Sequence, residues 1–90
     1  MLEVEVAVLE DLRHKNRTVG LKQTLKAVEM NKMQSVFIAN DAEERVVKKV
    51  KDLCLQKGIG IKYIDTMKIL GKACGIDIGA AVAGVLHEDE

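Results

Sequence analysis

Apolar positions along the chain follow two different periods, which predict strands and helices in alternation. Residues 35–39 form a short, apolar, β-branched run that is typical of a buried strand. Apolar positions from Val46 to Cys54 then recur with the spacing of one helix face, and Gly58 is predicted to end that helix as a left-handed cap. Residues 59–64 predict the next strand. The pattern indicates an α/β chain without internal repeats.

The segments on either side extend the alternation. Residues 17–20 predict a short extended piece, residues 21–31 a helix, and residues 80–86 a last central strand. Residues 2–14 fit both a strand and a helix, and a helix is favoured because no turn signal interrupts them. Strands separated by helices imply a sheet covered on both faces, so residues 1–90 are predicted to form one three-layer α/β/α sandwich domain.

Polar residues at the predicted helix starts suggest caps. Asp41 stands three residues before Glu44, which predicts a capping box at the start of the long helix. Asp65 or Thr66 is expected to cap a short helix that stops at Gly75.

Composition narrows the class of protein. A hydrophobic content of 48% excludes a disordered chain, and no apolar run is long enough to span a membrane. The N-terminus carries acids where a secretory signal carries bases. Two cysteines without a paired motif fit a reducing compartment, so the expected localisation is cytoplasmic.

The formal net charge of zero conceals an uneven distribution. All 14 lysine and arginine residues lie between Arg13 and Lys72, a segment that contains only six of the 14 acidic residues. Residues 13–26 include five basic residues and no acidic residue. Such a cluster is typical of a surface that meets an anionic partner, and a locally basic solvated surface is the alternative.

Candidate catalytic and metal-binding residues are few. Cys54 lies in the apolar stripe of the long helix, and Cys74 lies near a helix C-terminus, where the helix dipole does not favour a thiolate. Neither His14 nor His87 is spaced to act as a base for Cys74. No zinc, calcium or nucleotide-phosphate motif occurs. These residues therefore give only weak support to a Cys/His hydrolase, and we expect no metal and no cofactor.

The segment from Gly20 to Lys26 has features of an RNA contact. A glycine ends a strand and a helix begins at once, so backbone N–H groups at the helix start are available to phosphate. Lys22 and Lys26 share one helix face beside Gln23, which offers a donor and an acceptor to a base edge. An ordinary solvated helix start is the alternative.

A glycine-bounded loop at residues 75–81 is the second candidate. Ile76 and Ile78 flank Asp77, and Gly79 follows. A loop that faces water would expose both isoleucines, which could then pack on an unstacked base. The alternative is that both turn inwards. Aromatic residues make up only 2% of the chain, which argues against a stacking platform and favours recognition of a folded RNA shape.

Three motifs in order resemble one family. They are Gly-Leu-Lys-Gln-Thr-Leu-Lys at 20–26, Ile-Ala-Asn-Asp-Ala at 38–42, and Leu-Gly-Lys-Ala-Cys-Gly-Ile-Asp-Ile-Gly-Ala-Ala at 70–81. Over about residues 18–86 the chain resembles ribosomal proteins of the L7Ae and L30e type, most closely their short bacterial members. The resemblance implies an α/β/α sandwich around a four-stranded mixed sheet, without enzymatic activity. It also implies binding to kink-turns, which are sharply bent RNA internal loops with tandem sheared G·A pairs.

The resemblance implies roles for the strand–helix junction. In that family the junction enters the major groove at the G·A pairs, and the matching positions here are Gly20, Lys22, Gln23 and Lys26. Many archaeal and eukaryotic members carry Asn-Glu where this chain has Lys-Gln, whereas bacterial-type members also show Lys-Gln. In the family a further basic residue is often found one helical turn after the lysine, and Met30 occupies that position here.

The resemblance also implies a role for the second loop, which in the family covers a flipped-out nucleotide with apolar residues. The matching residues here are Ile76 and Ile78, with Asp77 between them and Gly79 following. The expected partner is therefore structured RNA, of the ribosome or another kink-turn RNA, and neither DNA nor a membrane.

Two other functions fit parts of the sequence. A protein–protein adaptor could use the apolar loop at residues 75–81 as its contact surface. A small enzyme could use Cys74 as a nucleophile.

Overall fold

A computed structural model describes Leu12 and residues 16–87. The elements of residues 16–87 are, in chain order, β1 (Arg17–Val19), α1 (Leu21–Glu29), β2 (Met33–Ala39), α2 (Glu44–Lys57), β3 (Ile61–Ile64), α3 (Met67–Ala73) and β4 (Val82–Leu86). The helix favoured for residues 2–14 lies outside the described residues, apart from Leu12, which is helical and fully buried.

The strands form one four-stranded mixed sheet in the order β1-β4-β2-β3. β4 runs antiparallel to both β1 and β2, and β2 runs parallel to β3. The first three strands therefore all point the same way, and β4 returns between two of them. This arrangement confirms the α/β class and the mixed sheet that the family resemblance implied.

Both faces of the sheet are buried by apolar side chains. In β2, Val36 and Ile38 pack in one cluster with residues of α1 and α2. Phe37 and Ala39 point to the other face and pack in a second cluster with residues of α3 and with Leu12. The alternation of β2 side chains thus builds two half-cores, which is the three-layer arrangement expected from the sequence.

The long helix α2 follows its predicted pattern. Val47, Val50 and Cys54 are buried against the sheet. The helix ends at Gly58, whose left-handed conformation at φ 71° is the predicted C-cap. Cys54, which the sequence places in the apolar stripe of this helix, is fully buried in the core.

One of the two predicted caps is wrong. Asp41 and Glu44 do not form a capping box, because the N-cap of α2 is Glu43 and it makes no side-chain capping hydrogen bond. Asp41 instead accepts a hydrogen bond from the backbone N–H of Met67 at 2.7 Å, so it stabilises the start of α3. Thr66 caps α3 through its hydroxyl, which confirms one of the two residues expected there.

Among the described residues, no helix combines the length and apolar character that a membrane span requires.

Candidate nucleic-acid interface

Both candidate segments lie at one end of the sheet. The backbone N–H of Gly20, after β1, donates to the carbonyl of Val82 at the start of β4 at 2.8 Å. The N–H of Ala39, at the end of β2, donates to the carbonyl of Ala81 at 3.0 Å. The β1–α1 junction and the loop that leads into β4 are therefore neighbours across the sheet. The end where parallel strands terminate is the usual position of binding sites in open α/β sheets.

The β1–α1 junction presents backbone donors. Gly20 is the N-cap of α1 and has φ 90°, a conformation that favours glycine. Because glycine has no side chain, no side chain caps the start of this helix. The first helical hydrogen bond is donated by Thr24 to the carbonyl of Gly20. Within residues 16–87 the N–H groups of Leu21, Lys22 and Gln23 have no acceptor. The helix start therefore offers three donors and the positive end of its dipole.

The side chain of Gln23 turns back onto the edge strand. Its Oε1 accepts a hydrogen bond from the backbone N–H of Val19 at 3.0 Å. β1 is an edge strand, so this bond covers a donor that the sheet leaves unpaired. The acceptor that the sequence offered to a base edge is thus engaged inside the protein, and Nε2 remains as the donor.

A buried polar pair fixes α1 against β1. The hydroxyls of Thr18 and Thr24 are 2.8 Å apart, and both side chains are buried. Lys22 and Lys26 lie on the outer side of the same helix and are exposed. The threonine pair therefore fixes which face of α1 presents the lysines to solvent.

The two isoleucines of the apolar loop have different environments. Ile78 is 75% exposed, whereas Ile76 is half-buried and packs against the core cluster beneath α3. Asp77 and Gly79 are exposed. From sequence alone the direction of both isoleucines is open, and in the structure only Ile78 faces solvent.

The loop is held tightly on α3. The N–H of Ile76 donates to the carbonyl of Gly71 at 3.1 Å, and the N–H of Ala80 donates to the carbonyl of Met67 at 2.9 Å. A Cβ added to Gly71 would collide with the carbonyl oxygen of Ile78. Glycine at this position therefore permits the loop to approach the helix.

The loop also has free backbone donors, and a hydrogen bond from the edge strand holds the residue directly before it. Within residues 16–87 the N–H groups of Asp77, Ile78 and Gly79 have no acceptor. The guanidinium of Arg17 donates to the carbonyl of Cys74 at 2.7 Å, directly before the loop. This bond connects β1, and with it the junction, to the segment that carries Ile78.

Two residues at this end of the molecule, Asn40 and Arg17, have no role predicted from the sequence. Asn40 is exposed directly after β2, and its N–H donates to the carbonyl of Ile64 at 2.7 Å. Arg17 was counted only as charge. The motif at residues 38–42 was the available signal for Asn40, whereas the contact between Arg17 and Cys74 spans 57 positions and leaves no local pattern.

Some basic side chains of α2 are held in ion pairs within the described residues. Lys48 lies 2.9 Å from Asp52, and Lys51 lies 2.9 Å from Glu44. Among the described residues, no carboxylate pairs with Lys22 or Lys26. Positive charge at the start of α1 is therefore not neutralised by ion pairs within residues 16–87.

The cysteines do not resemble a catalytic centre. Cys54 and Cys74 are free thiols and buried. Burial raises the pKa of both thiols, and at Cys74 the nearby charge of Arg17 opposes this only in part. Within the described residues, no three potential ligands among His, Cys, Asp and Glu are grouped to hold a metal.

These features define a small α/β domain that presents lysines, two sets of backbone donors and one exposed isoleucine at one end of its sheet. The chain belongs to the ribosomal protein L7Ae/L30e/S12e/Gadd45 family, which it matches over residues 3–90.

Named relatives are similar over most of the domain. An RNA-binding protein of Caldanaerobacter subterraneus subsp. tengcongensis is 66% identical over 67 residues, which is 74% of this chain and 82% of that protein. The large ribosomal subunit protein eL8 of Halobacterium salinarum is 35% identical over 74% of this chain and 57% of its own length. The solved structure of the Giardia lamblia 15.5 kD RNA-binding protein superposes with a TM-score of 0.89 at 26% identity, covering 99% of this chain and 78% of that one. These relatives are named as RNA-binding or ribosomal proteins, not as enzymes.

Proposed function

We propose that this protein binds kink-turn RNA through the β1–α1 junction and the loop at residues 75–81. The observation that carries the proposal is that these two segments are neighbours at one end of the sheet. The backbone N–H of Gly20 donates to the carbonyl of Val82, the residue directly after the loop, at 2.8 Å. RNA binding as such is supported by the family and by the names of the relatives. The kink-turn is the finer proposal: the family resemblance implies it, and the geometry of the site supports it.

The β1–α1 junction supplies contacts suited to a widened major groove of RNA. The N–H groups at the start of α1 are donors for phosphate or base acceptors, and Gly20 leaves the approach open because nothing lies within 4 Å of its missing Cβ. Lys22 and Lys26 add charge on the exposed face, and Nε2 of Gln23 adds a donor for guanine O6 or N7. Regular A-form RNA has a deep, narrow major groove that side chains cannot read, so a locally opened RNA fits this surface better.

The loop supplies an apolar contact for a base outside the stack. Ile78 is exposed, and the N–H groups of residues 77–79, which have no acceptor within residues 16–87, are donors available to phosphate. An unstacked nucleotide offers both a flat apolar base and a phosphate. Asp77 and Gly79 would lie at the edge of this contact, with Ile76 supporting it from the core side.

The proposed cellular partner is a ribosomal RNA or another kink-turn RNA, and the proposed compartment is the cytoplasm. The similarity to protein eL8 supports association with the ribosome. Buried, unpaired thiols at Cys54 and Cys74 are compatible with a reducing compartment.

A paired gel-shift experiment tests the proposal. One RNA duplex carries a kink-turn with tandem G·A pairs, and the other replaces these pairs by Watson–Crick pairs at equal length and charge. We expect at least about tenfold tighter binding to the kink-turn, because equal charge leaves only shape to separate the two RNAs. Equal affinity for both would contradict kink-turn recognition and leave general polyanion binding.

A protein–protein adaptor is the second candidate function, and the exposure of Ile78 at 75% is what favours it. In that case RNA would not compete with a partner for the loop, and substitution of Ile78 would leave RNA binding unchanged.

A further inference from the structure

A shallow groove of about 290 Å³ runs beside α1 and the edge of the sheet, next to the proposed junction. Its floor is apolar and includes Ala27, Met30 and Leu86. Gln23 and Lys26 belong both to this groove and to the junction. The groove therefore continues directly from the surface proposed to meet RNA.

The groove contains a second lysine that helical spacing does not predict. Lys32 follows the end of α1, where Asn31 adopts φ 60° and reverses the chain. The backbone N–H of Lys32 donates to the carbonyl of Ala27 at 3.0 Å, so the chain folds back onto the last turn of the helix. Lys32 consequently lines the same groove as Lys26, although six positions separate them.

Three hydrogen bonds hold this turn in place. The ammonium of Lys57 donates to the carbonyl of Glu29 at 3.2 Å and to Oδ1 of Asn31 at 2.9 Å. The backbone N–H of His87 donates to the carbonyl of Lys32 at 2.9 Å, which attaches the turn to the end of β4. The backbone that carries Lys32 is thus fixed from α2 and from the sheet.

The charge of the groove has one sign. Among the described residues, the lining includes Lys26 and Lys32 and no acidic residue. Arg17 also lines the groove, but its guanidinium donates to the carbonyl of Cys74 and is not counted as a charge of the groove. Met30, which forms part of the apolar floor, is half exposed. A channel with basic sides and an apolar floor matches the ribose–phosphate backbone of RNA, which alternates charged phosphates with sugars.

We propose that this groove binds the backbone of the RNA strand that leaves the junction, with Lys26 and Lys32 contacting phosphates and Met30 packing against ribose. The proposal rests on the proposed function, since it assigns the groove to the same RNA. An acidic peptide would also suit the charge, but the shared Gln23 and Lys26 favour a ligand that is continuous with the one at the junction.

The test measures kink-turn affinity as a function of salt for matched variants. Lys32→Gln is compared with Lys49→Gln, which removes an exposed lysine of α2 that does not line the groove. Loss of one phosphate contact should weaken binding about threefold to tenfold and lower the salt slope by about one unit. Lys49→Gln should change neither. Circular dichroism and thermal melting establish that both variants fold.

A gain of charge gives a complementary test. Met30→Lys should tighten binding and raise the salt slope by about one unit, because it adds a cation to the groove. The matched control is Leu55→Lys, which adds the same charge at an α2 position that is 83% exposed and does not line the groove. A threefold or larger gain for Met30→Lys alone supports the proposal, and equal gains for both variants contradict it.

Shortening the RNA identifies the ligand of the groove. Each arm of the kink-turn is reduced in turn to about two base pairs beyond the G·A pairs. The effect of Lys32→Gln should disappear when the arm in the groove is removed. If the wild type distinguishes kink-turn from Watson–Crick RNA but Lys32→Gln behaves like Lys49→Gln on every RNA, the groove proposal fails and the proposed function survives. If the wild type binds both RNAs equally, the proposed function fails first.

Discussion

The α-carbon of Gly71 packs directly against the backbone of Ile78, and a Cβ at position 71 would collide with the carbonyl oxygen of Ile78. Ile78, which is 75% exposed, is therefore positioned by a glycine seven places earlier, on α3. Because Ile76 also donates to the carbonyl of Gly71, a single residue holds the loop on both sides of Asp77.

Gly71→Ala should displace the loop, because the new methyl group and the Ile78 carbonyl cannot occupy the same space. We expect a loss of about 1–3 kcal/mol in the free energy of unfolding, measured by urea denaturation. Kink-turn affinity should fall as well. Gly60→Ala is the matched control, since nothing lies within 4 Å of a Cβ there and its φ is not positive. Equal stability of the two variants would show that the loop adjusts without strain.

Gln23→Ala should expose the edge strand. The N–H of Val19 would lose its acceptor, so we expect faster hydrogen exchange at Val19 and a stability loss of about 0.5–1.5 kcal/mol. Gln23→Glu keeps an oxygen in the same place and should preserve both quantities, while it removes the Nε2 donor. If the Val19 amide exchanges at the wild-type rate in the alanine variant, the bond makes no contribution in solution.

Ile78→Asp should separate RNA binding from folding. The side chain is 75% exposed, so stability should change by no more than about 0.5 kcal/mol. Kink-turn affinity should fall about tenfold or more, because an apolar contact is lost and a negative charge is placed near phosphates. Ile78→Asn isolates the loss of the apolar contact, and Leu55→Asp controls for an added charge on an exposed residue of α2. Unchanged RNA affinity would favour the adaptor function.

The buried thiols predict a specific response to pH. Burial raises the pKa of Cys54 and Cys74 above the ordinary value of 9.0. Their contribution to stability is therefore fully present below that value and is lost as the pH rises through the folded-state pKa. Stability should fall above about pH 9, because unfolded thiols release protons that folded thiols retain. Denaturation from pH 7 to 10 should show a shallower fall for the Cys54→Ala, Cys74→Ala double variant, and equal slopes would contradict the assignment.

The sequence predicted features that depend on near neighbours. The α2 stripe ending at Gly58, and the hydroxyl cap at Thr66, are set within one or two helical turns, and both are confirmed. The capping box was wrong for the opposite reason. Asp41 had a suitable local partner in the sequence, but the N–H of Met67, 26 positions later, binds its carboxylate in the folded chain.

The environment of the loop isoleucines could not be read from sequence. Ile76 and Ile78 are the same residue type two places apart in a glycine-bounded segment, and no periodic pattern separates them. Packing of the loop on Gly71 decides which one faces the core. Lys32 illustrates the same principle, since a left-handed turn at Asn31 and not a helical period brings it beside Lys26.

The direction of the strands has a thermodynamic consequence. β1, β2 and β3 end at the same place because β4 returns between β1 and β2, so segments near residues 20, 40 and 80 become neighbours only in the folded chain. A ligand that contacts two such segments binds the native state and not the unfolded chain. RNA at one hundred times its dissociation constant then stabilises the fold by about 2.7 kcal/mol. Occupancy by RNA thus protects the protein from unfolding, and the RNA-free fraction is the one most accessible to proteases.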